Sequence, residues 1–225
     1  MARTWRIGAA LLGAVVLALV LTQLFLPKIA ASRLASHLRK YGTVHSVSVS
    51  AWPALELLWR HADSVTVRAG SLRMTPDQTG KLLGEARGAG RIEMTAGSVR
   101  VGRLVLSDVR MRKRGGHASA QAQISEANVR GALPPGASVQ LLSSESGAVR
   151  VRVSGALFGI GASLDAIAQP TSGKLIVHPL GFPFEGLQLT LIDQPHVYVE
   201  GVSANATTGP QGAPGYRLGI SGRLR

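Results

Sequence analysis

The 225-residue sequence has no cysteine. That excludes a disulfide scaffold, thiolate metal sites, a cysteine nucleophile and an acylated N-terminal cysteine. Aromatic residues are scarce, at 4%. The 25 Lys and Arg outweigh 12 Asp and Glu, a formal charge of +13. The basic residues are spread along the chain, however, and no nucleic-acid motif accompanies them, so a nucleic-acid partner is not expected. Acidic residues are missing from the first 55 positions, Glu56 being the first. Catalytic patterns are missing too. No two of the six histidines sit at metal-ligand spacing on one helix, and there is no G-x-S-x-G elbow. Gly159-Ile160-Gly161 lacks the third glycine of a nucleotide loop and reads as a tight turn. Asp63, at a strand entry beside Arg60 and His61, reads as a turn cap before a polar latch. The expectation is a non-enzymatic protein with no cofactor and no metal. With 45% hydrophobic and 16% charged residues, the chain is not of disordered composition.

The most distinctive positive feature is the uninterrupted apolar run from Ile7 to Leu26. Twenty helical residues span about 30 Å, the thickness of a bilayer core. The run reads either as a single membrane anchor or as a secretory leader cut near Ile29-Ala30-Ala31. Its length and the following Lys28 favour the anchor. Residues 1–27 are therefore set apart from a single domain over 28–225. Arg3 and Arg6 favour a cytoplasmic N-terminus, whereas Lys28, Arg33, Arg39 and Lys40 on the other side point the opposite way. These juxtamembrane cations suit anionic lipid headgroups, or serve only topology and solubility.

The body changes period along its length. A short helix is expected over Lys28–Tyr41, stopped by Gly42. Alternation then predicts a strand over Val44–Ser50, with Val47 and Val49 facing inward, and another over Ser64–Leu72. Pro53–Arg60 reads as a helix whose apolar face carries Leu55, Leu58 and Trp59. Thr75-Pro76-Asp77-Gln78 is a helix start with a capping Thr and a Gln three residues on. Strands are expected over Arg91–Thr95, Ser98–Lys113 and Ala118–Ile124, with Val99, Val101, Val105 and Val109 as the apolar positions of the second. A Ser125-capped helix follows over Glu126–Leu133. Further strands are expected over Val149–Val153, Leu157–Ile167, Lys174–His178, Leu187–Ile192, His196–Val202 and Tyr216–Arg223. Asn205–Gly215 reads as a mobile Gly/Pro loop. The fold class is α+β, a mostly antiparallel, strongly curved sheet or open barrel with a few short helices, preceded by one N-terminal transmembrane helix.

Two blocks carry a family resemblance. The first is the strand, Trp-Pro turn, apolar helix and Asp-led strand from Val47 to Val67 (VSVSAWPALELLWRHADSVTV). The second runs from Ile124-Ser125-Glu126-Ala127-Asn128 through Val149–Val153 to Gly173-Lys174-Leu175-Ile176-Val177-His178-Pro179. Together they resemble the LmeA-like phospholipid-binding proteins of the cell envelope, over roughly residues 30–225. The resemblance implies an extracytoplasmic body, phospholipid binding and a part in envelope lipid or glycolipid assembly. The chain departs from lipoprotein members in having no cysteine to acylate. On this reading Trp52, Leu55, Leu58, Trp59, Phe158, Ile160, Leu180, Phe182 and Phe184 line an apolar groove, and Arg60, Arg110 and Arg112 meet the headgroup. The expected partners are membrane phospholipids, anionic ones first, and an envelope protein complex. The alternative is a scaffold or interaction protein whose core is filled.

Overall fold

The computed structural model describes residues 26–51, 62–75, 78, 88–157, 160–181, 188–193, 196–209 and 212–224. Nearly all of the expected membrane span lies outside these residues, as do 52–61. No helix among the described residues is long and apolar enough to cross a membrane.

Residues 26–39 form helix α1. It ends where the Tyr41 amide donates to the Leu38 carbonyl at 2.9 Å. Gly42 then opens β1 (Gly42–Ser50). A side chain at position 42 would collide with the Ser71 carbonyl oxygen, so the close approach of the next strand requires glycine here. The remaining elements are β2 (Ala62–Met74), β3 (Ala89–Val101), β4 (Leu104–Arg114), β5 (His117–Ser125), helix α2 (Glu126–Ala132), β6 (Ser138–Glu145), β7 (Ala148–Leu157), β8 (Ile160–Thr171), β9 (Lys174–Leu180), β10 (Leu189–Ile192), β11 (Val197–Thr208) and β12 (Pro214–Leu224).

The strands form two open sheets, where the sequence reading expected one curved sheet or open barrel. Seven are ordered β1-β2-β3-β4-β5-β12-β11 and five are ordered β10-β9-β8-β7-β6. Every described pairing is antiparallel except β2 with β3. That parallel pair needs a crossover. The crossover starts with a reciprocal cap: the Gln78 amide donates to Thr75 Oγ1 at 3.3 Å and the Thr75 amide donates to Gln78 Oε1 at 2.9 Å. At α2, Ser125 Oγ accepts the Asn128 amide at 3.2 Å, which is the expected N-cap.

Three strand expectations need correction. The long strand over Ser98–Lys113 is broken at Gly102-Arg103, where Gly102 at φ +60° makes a hairpin turn between β3 and β4. The mobile loop over Asn205–Gly215 is mostly strand, with Asn205 opposite Arg217 and Thr207 opposite Gly215. Its β-branched threonines extend the ladder, and the turn shrinks to 209–213, where the Gly209 amide donates to Ala213 O at 2.8 Å. Strand β6 was not foreseen, because its apolar positions are interrupted by Leu142 and three serines.

The two sheets meet at the β11 edge. The turns of the β6–β7 and β8–β9 hairpins are both Ser-Gly with positive φ at both residues: Ser146 +52° and Gly147 +78°, Ser172 +53° and Gly173 +81°. That is the twist-matched two-residue turn of a hairpin. Each turn presents a carbonyl to the edge of β11. Val202 N–H donates to Gly147 O at 2.9 Å and Val199 N–H to Gly173 O at 2.8 Å. Ser144 Oγ accepts from Ala204 N–H at 2.9 Å. The second sheet thus protects an edge that would otherwise offer unpaired amides.

A line of extra residues crosses the large sheet. In β2 the inward side chains are Val67 and Ala69, then Leu72; in β3 they are Met94 and Ala96, then Val99. The inward alternation therefore skips one residue at Gly70-Ser71 and at Gly97-Ser98, which are adjacent in register. Strand β1 has register shifts between Gly42 and Ser46, and β4 has one between Ser107 and Arg110, where Asp108 adopts φ +49°. Such bulges bend a strand and increase its twist. The buried cluster Ala69, Leu72, Ala96 and Val99 lies along this line.

Candidate functional site

Strand register sorts the side chains of the large sheet onto two faces. On one face a row crosses all seven strands as Val47, Val67, Met94, Met111, Ala120, Ile220 and Val202. The adjacent row reads Val49, Val65, Ile92, Lys113, Ala118, Gly222 and Val199. Beyond the first lie Val44, Ala69, Ala96 and Val109, then Ala122, Leu218 and Ala204. Seven strands at about 4.8 Å spacing make this face roughly 29 Å wide, and Ala118 to Ile124 covers roughly 20 Å along the strand.

The face is apolar but incompletely covered. Val47, Val49, Val65, Met94, Val109, Met111, Leu218 and Ile220 are all only half-buried. Among the described residues the large apolar side chains that are buried are few, Leu72, Ile92 and Ile124 among them, and Val199 is the most buried at 1% exposure. The floor over β5 is alanine at every second position, Ala118, Ala120 and Ala122, which makes β5 the low strand of the face, a trough between Met111 of β4 and Ile220 of β12.

Its two ends are polar. At one end Lys113 is 4% exposed, the sole buried charged side chain among the described residues. Its Nζ donates to the Ala89 carbonyl, where the crossover enters β3. Burial holds its pKa below the usual lysine value. At the other end Tyr216 Oη donates to Glu126 Oε1 of α2 at 3.4 Å, and Asn128 Nδ2 donates to Val105 O at 3.4 Å. Burial first, and then the Glu126 carboxylate, raise the Tyr216 pKa.

Of the sequence-derived site, only Ile160, Leu180, Arg110 and Arg112 fall among the described residues. Trp52, Leu55, Leu58, Trp59, Arg60, Phe158, Phe182 and Phe184 lie outside the described residues. Ile160 opens β8 opposite Leu157, but its side chain is not described. Leu180 is half-buried at the end of β9, across from Asp165. That is the charged row of the small sheet, where the Arg152 guanidinium clamps Asp165 at 2.7 and 3.1 Å and this bond holds the carboxyl below its usual range. Arg110 and Arg112 are exposed on the polar face of the large sheet, behind the apolar rows. The sheet therefore does not bring these two arginines together with the trough. Val47, Val49 and Val109 of the trough are legible in the sequence, whereas its alanines are not conspicuous. The readable signal was the strict alternation of HASAQAQI and of YRLGI.

A family model for LmeA-like phospholipid-binding proteins matches residues 18–223, nearly the whole chain. The chain belongs to that family. No curated protein and no solved structure matches it. Membership in the LmeA-like family supports lipid binding and phospholipid partners. Among the described residues no three His, Asp or Glu gather as a metal site.

Proposed function

We propose that the protein is a membrane-anchored, extracytoplasmic phospholipid carrier or sensor that holds acyl chains against the apolar face of its large sheet. The observation that carries this reading is the apolar row that runs unbroken across seven strands, partly exposed at every member but the buried Val67. The Ile7–Leu26 run is the anchor, and the protein binds lipid without transforming it, within the assembly of envelope lipids or glycolipids. Anionic phospholipids are favoured by the net charge of +13.

The magnitudes select two-chain lipids. A fully buried methylene contributes about 0.8 kcal/mol. A chain lying on an open trough covers about half its surface, so ten methylenes contribute about 4 kcal/mol. One such chain corresponds to millimolar affinity and two to micromolar. A trough roughly 29 Å wide accommodates both side by side.

The test is native mass spectrometry of the full chain from lipid-free detergent, with extraction and identification of bound lipid. The expected result is one bound phospholipid, with a lyso form of the same headgroup binding about a thousand-fold more weakly. Ala120→Trp raises the trough floor and is expected to abolish uptake while the circular dichroism spectrum stays that of the parent. An empty protein that takes up nothing from vesicles would favour the scaffold instead.

A further inference from the structure

The face of the large sheet behind the trough is cationic. Arg91 lies directly opposite Arg114, Arg114 opposite His117, and His117 opposite Arg223. Arg112 and Arg110 continue the same face along β4, and all six side chains are exposed. Like charges set directly opposite one another weaken a sheet, yet Arg91 and Arg114 adjoin across the ladder, and Arg223 lies on the far side of His117. Acidic residues meet three of the five arginines. Glu200 bonds Arg223 at 2.5 Å, Glu93 faces Arg112 across the ladder, and Asp108 borders Arg110. Next to the arginines the surface is small and polar, with Ser119 and Gln121 on β5 and Gly219 and Ser221 on β12. Two shallow hollows of about 400 and 300 Å³ lie along it.

We infer that this arginine face docks the body on the anionic phospholipid headgroups of the membrane that holds the chain. The inference rests on the anchored reading above. The occupant follows from reach and charge. Residues 26–39 are helical, so α1 spans about 21 Å between the expected membrane end and β1. A bilayer surface is thus the nearest extended anion, held at high effective concentration. Exposed Arg33 and Arg39 of α1, and Lys40 just after it, carry the same sign. Guanidinium groups pair with phosphate through two parallel hydrogen bonds, which suits headgroups better than a point charge does. Because the two faces alternate along each strand, a body docked in this way turns its trough away from the bilayer.

The absence of cysteine makes the test clean, since Ser119→Cys provides a unique label in the middle of the cationic face. The labelled full chain is reconstituted into phosphatidylcholine vesicles with and without phosphatidylglycerol, and energy transfer to headgroup-labelled lipid is read. Strong transfer is expected only with phosphatidylglycerol, and high salt should remove it. An arginine near an anionic surface is worth about a five-fold change, so Arg91→Gln with Arg114→Gln should lower docking roughly thirty-fold. These exposed, mutually repelling positions can change without loss of the fold. Arg150→Gln on the small sheet should leave the signal unchanged. Equal transfer in both vesicle types, or indifference to the double substitution, would overturn the docking face. So would a label that answers to soluble polyphosphate but not to vesicles. Protein that fails to stay with phosphatidylcholine vesicles would instead overturn the anchored reading on which docking rests.

Discussion

Lys113 gives the sharpest energetic test of the trough. It stands in an otherwise apolar row between Ile92 and Ala118, 4% exposed, with its Nζ bonded to the Ala89 carbonyl. Burying an ammonium costs several kcal/mol. A hydrogen bond from a charged donor returns about 1.5–3 kcal/mol. Lys113→Met keeps the length of the side chain and removes the charge, at the expense of one backbone acceptor worth about 1–3 kcal/mol. The two effects nearly cancel, so the variant should lie within about 1 kcal/mol of the parent. Lys113→Ala removes the stem as well and should lose about 2–4 kcal/mol. The pH dependence separates charge from packing. The folded-state pKa is lowered by burial, so between that value and the ordinary lysine value the unfolded chain binds more protons. Stability then rises with pH through this window, by at most about 1.4 kcal/mol per pH unit, and the penalty is fully present below it. Tyr216, whose pKa is raised, contributes the opposite slope at alkaline pH, so the quantity to read is the difference between parent and Lys113→Met. Urea midpoints from neutral to alkaline pH supply it. Parallel pH profiles for the two proteins, or a loss above about 3 kcal/mol in Lys113→Met, would refute a buried-charge cost and make the lysine a structural pin.

Gly173→Ala should destabilise the protein by about 2–4 kcal/mol, because φ +81° disfavours a side chain and the new Cβ would strike the Tyr198 ring; hydrogen exchange at the Val199 amide, which bonds Gly173 O, should accelerate with it. Thr75→Ala should cost about 1 kcal/mol in thermal or urea unfolding through loss of the reciprocal cap. Adding Gln78→Ala to it should cost less than the sum of the two single changes, since both remove the same unit.

Local chemistry was legible in the sequence where a residue type has one physical use. Thr75 with Gln78 and Ser125 before Glu126 announced helix starts, and both caps are formed. Val47 and Val49 alternated cleanly and lie on the trough face. The site was less legible. The tryptophans and phenylalanines of the expected groove lie outside the described residues, and the apolar face that is described is floored by Ala118, Ala120 and Ala122. Alternating alanine and polar residues carry a weak hydrophobic signal, and only pairing with Leu218 and Ile220 on β12 turns them into an apolar surface. That pairing joins residues about a hundred positions apart, which no local pattern encodes. The second sheet was hidden for a similar reason. Ser146-Gly147 and Ser172-Gly173 mark turns in the sequence, but their carbonyls acquire a purpose only beside β11.

The parity of β4 shows why Arg110 and Arg112 lie on the face opposite the apolar rows. Leu106 pairs with Val99 on the trough face. Strict alternation from Leu106 would then carry Asp108, Arg110 and Arg112 into the trough and throw Val109 and Met111 out. A one-residue slip reverses every side chain beyond it. The bulge at Asp108 supplies that slip, and Val109 and Met111 face inward while the arginines face out. A bulge in β4 alone would mismatch it with β3. It does not, because β3 skips a residue at Gly97-Ser98, β2 at Gly70-Ser71, and β1 shifts beside them. Glycine at 70 and 97 fits the crowding, since a Cβ at 97 would lie 2.9 Å from Gly70 O. Across the bend the four strands thus change parity together. The trough stays apolar on both sides of the line, and the cations stay together on the opposite face. Separation of the apolar face from the cationic face therefore depends on one coordinated bulge line, and a deletion that restored simple alternation in β4 would mix the two faces.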